Sequence, residues 1–273
     1  AIFFMPPVGV WVLTMAIATV GLLEFYAMMD MARIPVFRIF GIFSGLALIT
    51  ATFFTAGQRP EQVADAQKWE HLVLLGVLII TLVRQFPQKH NEQPLATMGC
   101  TLLGILYVPF LMNYFTRLAM FWGDGWRDGT VGIEGRLLVL YTVLVVKFTD
   151  IGAFTVGMLF GRHKFFPRIS PKKTWEGFFG GIGAALLVSV IFCHFCGGSF
   201  GRIPFGMTHA VILGIILGLV SVVGDLFESL IKRAAGTKDS SGLVPGMGGI
   251  LDVIDSLLFG APVMFAYVRL FLS

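Results

Sequence analysis

Between Gly224 and Ser256 the chain reads Gly-Asp-Leu-Phe-Glu-Ser-Leu-Ile-Lys-Arg-Ala-Ala-Gly-Thr-Lys-Asp-Ser-Ser-Gly-Leu-Val-Pro-Gly-Met-Gly-Gly-Ile-Leu-Asp-Val-Ile-Asp-Ser, set between apolar runs at 208–230 and 249–272. The segment gathers Asp225, Glu228, Asp239, Asp252 and Asp255 with Lys232, Arg233 and Lys238 among six glycines and Pro245. Apolar runs of about 20 residues cross a hydrocarbon core as helices, so the polar segment reads as a connector at a membrane surface.

Working outward, the same pattern recurs. Spans are expected near 8–28, 36–56, 70–84, 95–122, 136–160, 175–196, 208–230 and 249–272, the third being the weakest. The chain is 56 % hydrophobic and 13 % charged, whereas soluble domains carry about a quarter charged residues. A closed barrel is the other way to satisfy backbone groups in lipid, but it needs short alternating strands rather than long continuous runs. The expected fold is therefore all-α, a polytopic integral membrane protein with about eight transmembrane helices. The first run reads as a retained span, and residues 1–273 read as a single membrane domain, with N-terminal spans over 1–135 and catalytic helices with cytoplasmic loops over 136–273.

Charge sets the orientation. Arg33, Arg38, Arg84, Lys89, Arg162, Lys164, Arg168, Lys172, Lys173, Lys232, Arg233 and Lys238 fall on connectors of one face, and Arg59, Lys68, Arg127 and Arg202 on the other. Twelve cations against four mark the first face as cytoplasmic. Because the cations sit in short connectors between spans, nucleic acid is not an expected partner. Cys193 and Cys196 form one C-x-x-C inside an apolar run, with no second pair to complete a zinc site, and read as small hydrophobes. Pro109 should kink the fourth span. Glu24, beside Phe25 and Tyr26, reads as an interfacial residue next to an aromatic anchor.

Ionisable groups inside spans are functional candidates, because they must face protein or a wet cavity. Lys147 and Asp150, three residues apart in the fifth run, can pair on one helix face, either for function or as a structural ion pair. The loop that follows carries Ser170, Lys172, Lys173 and Thr174 where the sixth helix begins. Hydroxyls and ammonium groups at a helix N-terminus suit a phosphate, although the cations also serve topology. Asp225, Glu228, Ser229 and Lys232 lie along one face of the seventh helix, and Asp252 and Asp255 share a face of the eighth. Crowded carboxylates repel unless protonated or bound to a cation, and hard oxygen ligands suit Mg²⁺ with substrate phosphates. Glycines such as Gly248 and Gly249 let the backbone approach a ligand closely. Together these features describe phosphoryl or nucleotidyl transfer at a membrane face.

At these residues the sequence resembles the phosphatidate cytidylyltransferase, or CDP-diacylglycerol synthase, family. Ser229, Lys232, Arg233, Lys238, Asp239, Pro245, Gly246, Gly248, Gly249, Asp252 and Asp255 match its pattern in type and spacing, as do Asp150-x-Gly-Ala-Phe and Ile169-Ser-Pro-Lys-Lys-Thr-Trp-Glu-Gly177. The likeness is close over about 140–260 and general before that. It implies transfer of CMP from CTP to phosphatidic acid, giving CDP-diacylglycerol and pyrophosphate, within a lipid membrane. It implies a catalytic set of Asp225, Asp252, Asp255, Asp239 and Lys238, with Asp225 and Asp252 holding Mg²⁺ and room for a second cation. Ser170, Lys172, Lys173, Thr174, Ser229, Lys232, Arg233, Gly248 and Gly249 would bind substrate, and a homodimer is compatible with it.

Two positions depart from that pattern. Met247 stands where the family has His, and Val253 where it has Arg, which leaves room for another CTP-dependent lipid transferase or a polyprenol kinase. A different class, an ion-coupled transporter using Lys147, Asp150 and Asp225, would need two related halves, and no such repeat is evident. The compact chain without a recognisable transit segment points to a bacterial inner membrane, with the site facing the cytoplasm where CTP is found.

Overall fold

The computed structural model describes residues 6–56, 63–89, 91–122, 131–237, 240–241 and 248–272. Its helices are α1 (Pro7–Met31), α2 (Arg38–Ala56), α3 (Val63–Val83), α4 (Pro94–Ile105), α5 (Leu111–Met120), α6 (Ile133–Phe160), α7 (Trp175–Phe195), α8 (Met207–Ala234) and α9 (Ile250–Phe271). Two antiparallel hairpins, β1 (Lys164–Phe166) with β2 (Ser170–Thr174) and β3 (Ser199–Phe200) with β4 (Ile203–Pro204), are the only sheets among the described residues. Among the described residues, seven helical stretches are long and apolar enough to cross a membrane, with α4 and α5 counting as one. Helix α3 has the length, at 21 residues, but its first half carries charged residues, which is why this span reads weakly from sequence. The fold is all-α and multi-pass, close to the expected eight spans.

At Pro109, where a kink is expected, the structure has a π-helical turn, Leu106–Phe110, joining α4 to α5. A proline lacks the N–H and crowds the preceding turn, and widening the helix relieves both. Gly45 of α2 leaves space there, since a Cβ would stand 2.8 Å from the Pro109 ring.

The chain forms two compact units, Ala1–Gly132 with Lys232–Val253, and Ile133–Ile231 with Ile254–Ser273. In the first, Phe25 and Tyr26 are fully buried rather than placed as interfacial anchors. The Tyr26 hydroxyl donates to the Thr101 carbonyl at 3.1 Å, and Thr101 Oγ1 accepts from the Phe37 amide at 3.1 Å, fastening α1 and the start of α2 to α4. A buried ion pair joins Glu70 of α3 to Arg117 of α5. Thr52 of α2 donates to Glu70, and Asn113 donates to both Thr52 and Glu70. The charges are held because every lipid-facing alternative costs more.

In the second unit small residues let the helices approach. A Cβ at Gly177 would stand 2.7 Å from the Ala153 carbonyl, one at Gly152 2.9 Å from the Gly180 carbonyl, and one at Gly181 2.9 Å from the Thr149 carbonyl. Helices without a hydrophobic driving force between them associate through such close packing. The pattern continues from α7 to α8 at Gly214 and Gly218, from α8 to α9 at Gly224, and from α9 back to α6 at Gly260. Cys193 and Cys196 at the end of α7 are free thiols, and Cys193 Sγ lies 3.1 Å from the Phe205 carbonyl.

Candidate active site

In the second unit, the stretch expected to be a basic loop before α7 is a hairpin. Ser170, Lys172, Lys173 and Thr174 lie on β2, and Thr174 is also the N-cap of α7, its Oγ1 accepting from the Gly177 amide at 3.2 Å. The four residues therefore do lie where the helix begins, but on a strand that the sequence reading did not anticipate. Lys173 is half-buried and Lys172 exposed, while Ser170 pairs in register with Phe166.

Lys173 Nζ forms an ion pair with Asp225 Oδ2 of α8 at 2.7 Å. One helix away, Lys147 and Asp150 of α6 pair at 3.1 Å, as their spacing implies. Asp150 Oδ1 accepts from Ser221 Oγ of α8 at 2.9 Å and from Ser256 Oγ of α9 at 3.4 Å, so one carboxylate ties three helices. Ser229 Oγ reaches Asp225 Oδ1 at 3.4 Å, while Glu228, on the same helix, is buried. Asp255 of α9 is also buried, accepts from the Ser256 amide at 2.5 Å, and lies in the electrostatic field of Asp225, Asp150 and Lys147.

Asp150, Lys173 and Asp225 of this cluster border a cavity of about 370 Å³. Its lining includes Asp150, Lys172, Lys173, Thr174 and Asp225 together with Phe154, Met158, Phe165 and Phe178. Such a lining suits a ligand with a charged head and an apolar body.

The first unit holds the other half of the motif. Lys232 Nζ, at the last turn of α8, pairs with Asp252 Oδ1 at 2.8 Å. Asp252 Oδ2 accepts from the Gly249 amide at 2.7 Å, Ser240 Oγ at 3.0 Å and the Ser240 amide at 3.3 Å. Asp252 thus reaches back over the first turn of α9 in the manner of a capping box. Gly248 has φ +92°, a conformation that L side chains rarely adopt. Arg233 is exposed, and its Nη1 donates to the Thr237 carbonyl at 3.3 Å. Lys238, Asp239 and Met247 lie outside the described residues.

Sequence reasoning missed Glu24. Its carboxylate is buried and accepts from Ser240, Ser241 and two amides of α9; the available signal was a lone acid inside an apolar run. Ser221 and Ser256 were missed as well, and a serine in a membrane helix carries no signal of its own.

Among the described residues no group of three His, Cys, Asp or Glu side chains is arranged to hold a metal ion. The donor chemistry nonetheless fits a hard cation completed by substrate oxygens. Lys147 and Lys173 take up Asp150 and Asp225, and the buried Asp255 has, among the described residues, a backbone amide as its hydrogen-bond donor.

The model of the Cytidylyltransferase family matches residues 1–271. The chain is 33 % identical over 284 aligned residues to the phosphatidate cytidylyltransferase of Synechocystis sp., covering 97 % of this chain and 90 % of that relative. It is 34 % identical over 271 residues to that of Haemophilus influenzae, covering 94 % and 89 %. With that of Staphylococcus aureus it shares 43 % over 133 residues, 48 % of each chain. A multi-pass helical membrane protein with paired lysines and aspartates around an amphiphilic cavity is the class that the fold and these residues define. The chain belongs to the cytidylyltransferase family and is an enzyme.

Proposed function

We propose that this enzyme transfers CMP from CTP to phosphatidate, giving CDP-diacylglycerol and pyrophosphate. The observation that carries the reading is the cavity lined by Lys172, Lys173 and Asp225 together with Phe154, Phe165 and Phe178. Phosphatidate has that polarity: a phosphate monoester on two acyl chains. Its phosphate is already an anion at neutral pH, so no protein nucleophile is required. An oxygen of the lipid phosphate attacks the α-phosphorus of CTP, the bond to the bridging oxygen of the β-phosphate breaks, and pyrophosphate leaves with that electron pair.

The protein's part is to position anions and offset their charge. Lys172 and Lys173 would hold the lipid phosphate, and entry of that phosphate would compete with Asp225 for Lys173. Lys232, Arg233 and Lys238 would hold the CTP phosphates and the departing pyrophosphate, with Gly248 and Gly249 admitting the nucleotide close to the backbone. Asp225 and Asp252 are the proposed Mg²⁺ ligands, with Asp255 and Asp239 in support; bound there, the cation would neutralise phosphate charge. The excess of cations on one face supports a site facing the cytoplasm of a bacterial inner membrane.

The test is turnover of α-labelled CTP by purified protein in detergent with phosphatidic acid and Mg²⁺, beside Asp225→Asn. Labelled lipid and pyrophosphate are expected, lost on EDTA addition and reduced by about 10² to 10³ in the variant. Release of CDP with a phosphorylated lipid would replace this reading with a kinase. No transfer to any lipid phosphate by folded protein would overturn it.

A further inference from the structure

Glu24 lies on α1, far in sequence from the motif residues, yet its buried carboxylate is filled by them. Oε1 accepts from Ser241 Oγ at 2.6 Å and the Ile250 amide at 3.0 Å; Oε2 accepts from Ser240 Oγ at 3.2 Å and the Leu251 amide at 2.8 Å. Ile250 and Leu251 open α9, so their amides are among those that a helix leaves without internal partners. A carboxylate there is doubly favoured, by hydrogen bonding and by the positive end of the helix dipole. Ser240 also contacts Asp252 Oδ2 at 3.0 Å, so one hydroxyl stands between the two acids. Gly249 follows from the same arrangement, because a Cβ there would run into Ser240 Oγ and Glu24 Oε2.

We infer that Glu24 is a positioning residue: acting through Ser240 and the first amides of α9, it sets the orientation of Asp252 and the glycine turn before it. This rests on the proposed cytidylyl transfer for its catalytic consequence, but not for its structural one. Each oxygen takes one hydroxyl and one amide, which fixes the carboxylate plane and with it the positions of Ser240 and the α9 terminus. A hydroxyl has one proton to donate, so Ser240 serves Glu24 and Asp252 in turn, and Lys232 with the Gly249 amide holds Asp252 meanwhile. Glutamine at position 24 would keep the volume but turn an NH₂ group toward amide donors on one side. Aspartate would keep the charge but fall one methylene short.

The experiment compares wild type, Glu24→Gln, Glu24→Asp, Ser240→Ala and the Glu24→Gln/Ser240→Ala double variant in detergent. Amide hydrogen exchange over residues 248–253 is measured with and without activity assays. Glu24→Gln is expected to speed exchange there about tenfold, while exchange in α6 and α7 stays unchanged. With substrates, kcat/KM for CTP should fall about 10²-fold, with KM for phosphatidate unchanged. The double variant should lose little more than Glu24→Gln alone, as expected for groups acting as one unit, and Glu24→Asp should recover part of the loss. Unchanged exchange at 248–253, or losses that add in the double variant, would overturn the inference. Faster exchange in Glu24→Gln together with no CTP transfer by the wild type would instead sink the proposed reaction and leave the positioning intact.

Discussion

Asp252 and Asp255 stand one turn apart on α9 and share a residue type, yet their surroundings differ. Asp252 has Lys232, Ser240 and the Gly249 amide as partners; Asp255 is buried and has the Ser256 amide. Charge balance is therefore local, and so are the consequences of altering it. Lys173→Met removes the partner of Asp225 and a proposed phosphate ligand together. Turnover should fall about 10² to 10³-fold with the KM for phosphatidate raised, measured by lipid-dependent CMP transfer. Lys173→Arg should restore part of it, because charge is kept while fork geometry differs from a point ammonium. Val253, where the family pattern has Arg, lies on α9 directly after Asp252, and nothing in the structure explains the replacement.

At the scale of elements, two devices hold helices together in lipid. The Glu70–Arg117 pair is buried with Thr52 and Asn113 around it. Arg117→Met leaves Glu70 without its counter-charge, and should lower stability by about 3–5 kcal/mol, whereas the Glu70→Gln/Arg117→Met double change should recover most of that loss. Thermal unfolding in detergent checks both. The α6–α7 pair depends instead on missing side chains. Gly181→Val would press a side chain against the Thr149 carbonyl and should cost about 1–3 kcal/mol through overpacking, read as a lower melting temperature.

For the whole molecule, the proposed orientation in the membrane rests on charge. In a background with Cys100, Cys193 and Cys196 replaced by Ala, Arg168→Cys should react with an impermeant thiol reagent only from the cytoplasmic side, and Arg202→Cys only from the other. Labelling of both from one side would refute the assigned topology. The helices themselves were legible in the sequence, because about 20 apolar residues in lipid have few alternatives to a helix. So were Lys147 with Asp150 and the cluster along α8, because 3.6-residue periodicity makes near neighbours predictable. The hairpin at 164–174 was not legible, since three to five residues rich in Lys and Phe carry no strand signal above that of a loop.

What the sequence determined by itself was the all-helical membrane class, the motif residues and their local spacing, all set by hydropathy and by turns of one helix. Only the tertiary structure decided which faces meet: Lys173 with Asp225, Asp150 with Ser221 and Ser256, and Glu24 with a loop 216 residues further along. Those pairs depend on how helices rotate and pack about small residues, and a linear pattern does not specify that rotation. An acid in an apolar run announces that it needs partners; where they come from is settled by the fold that buries it.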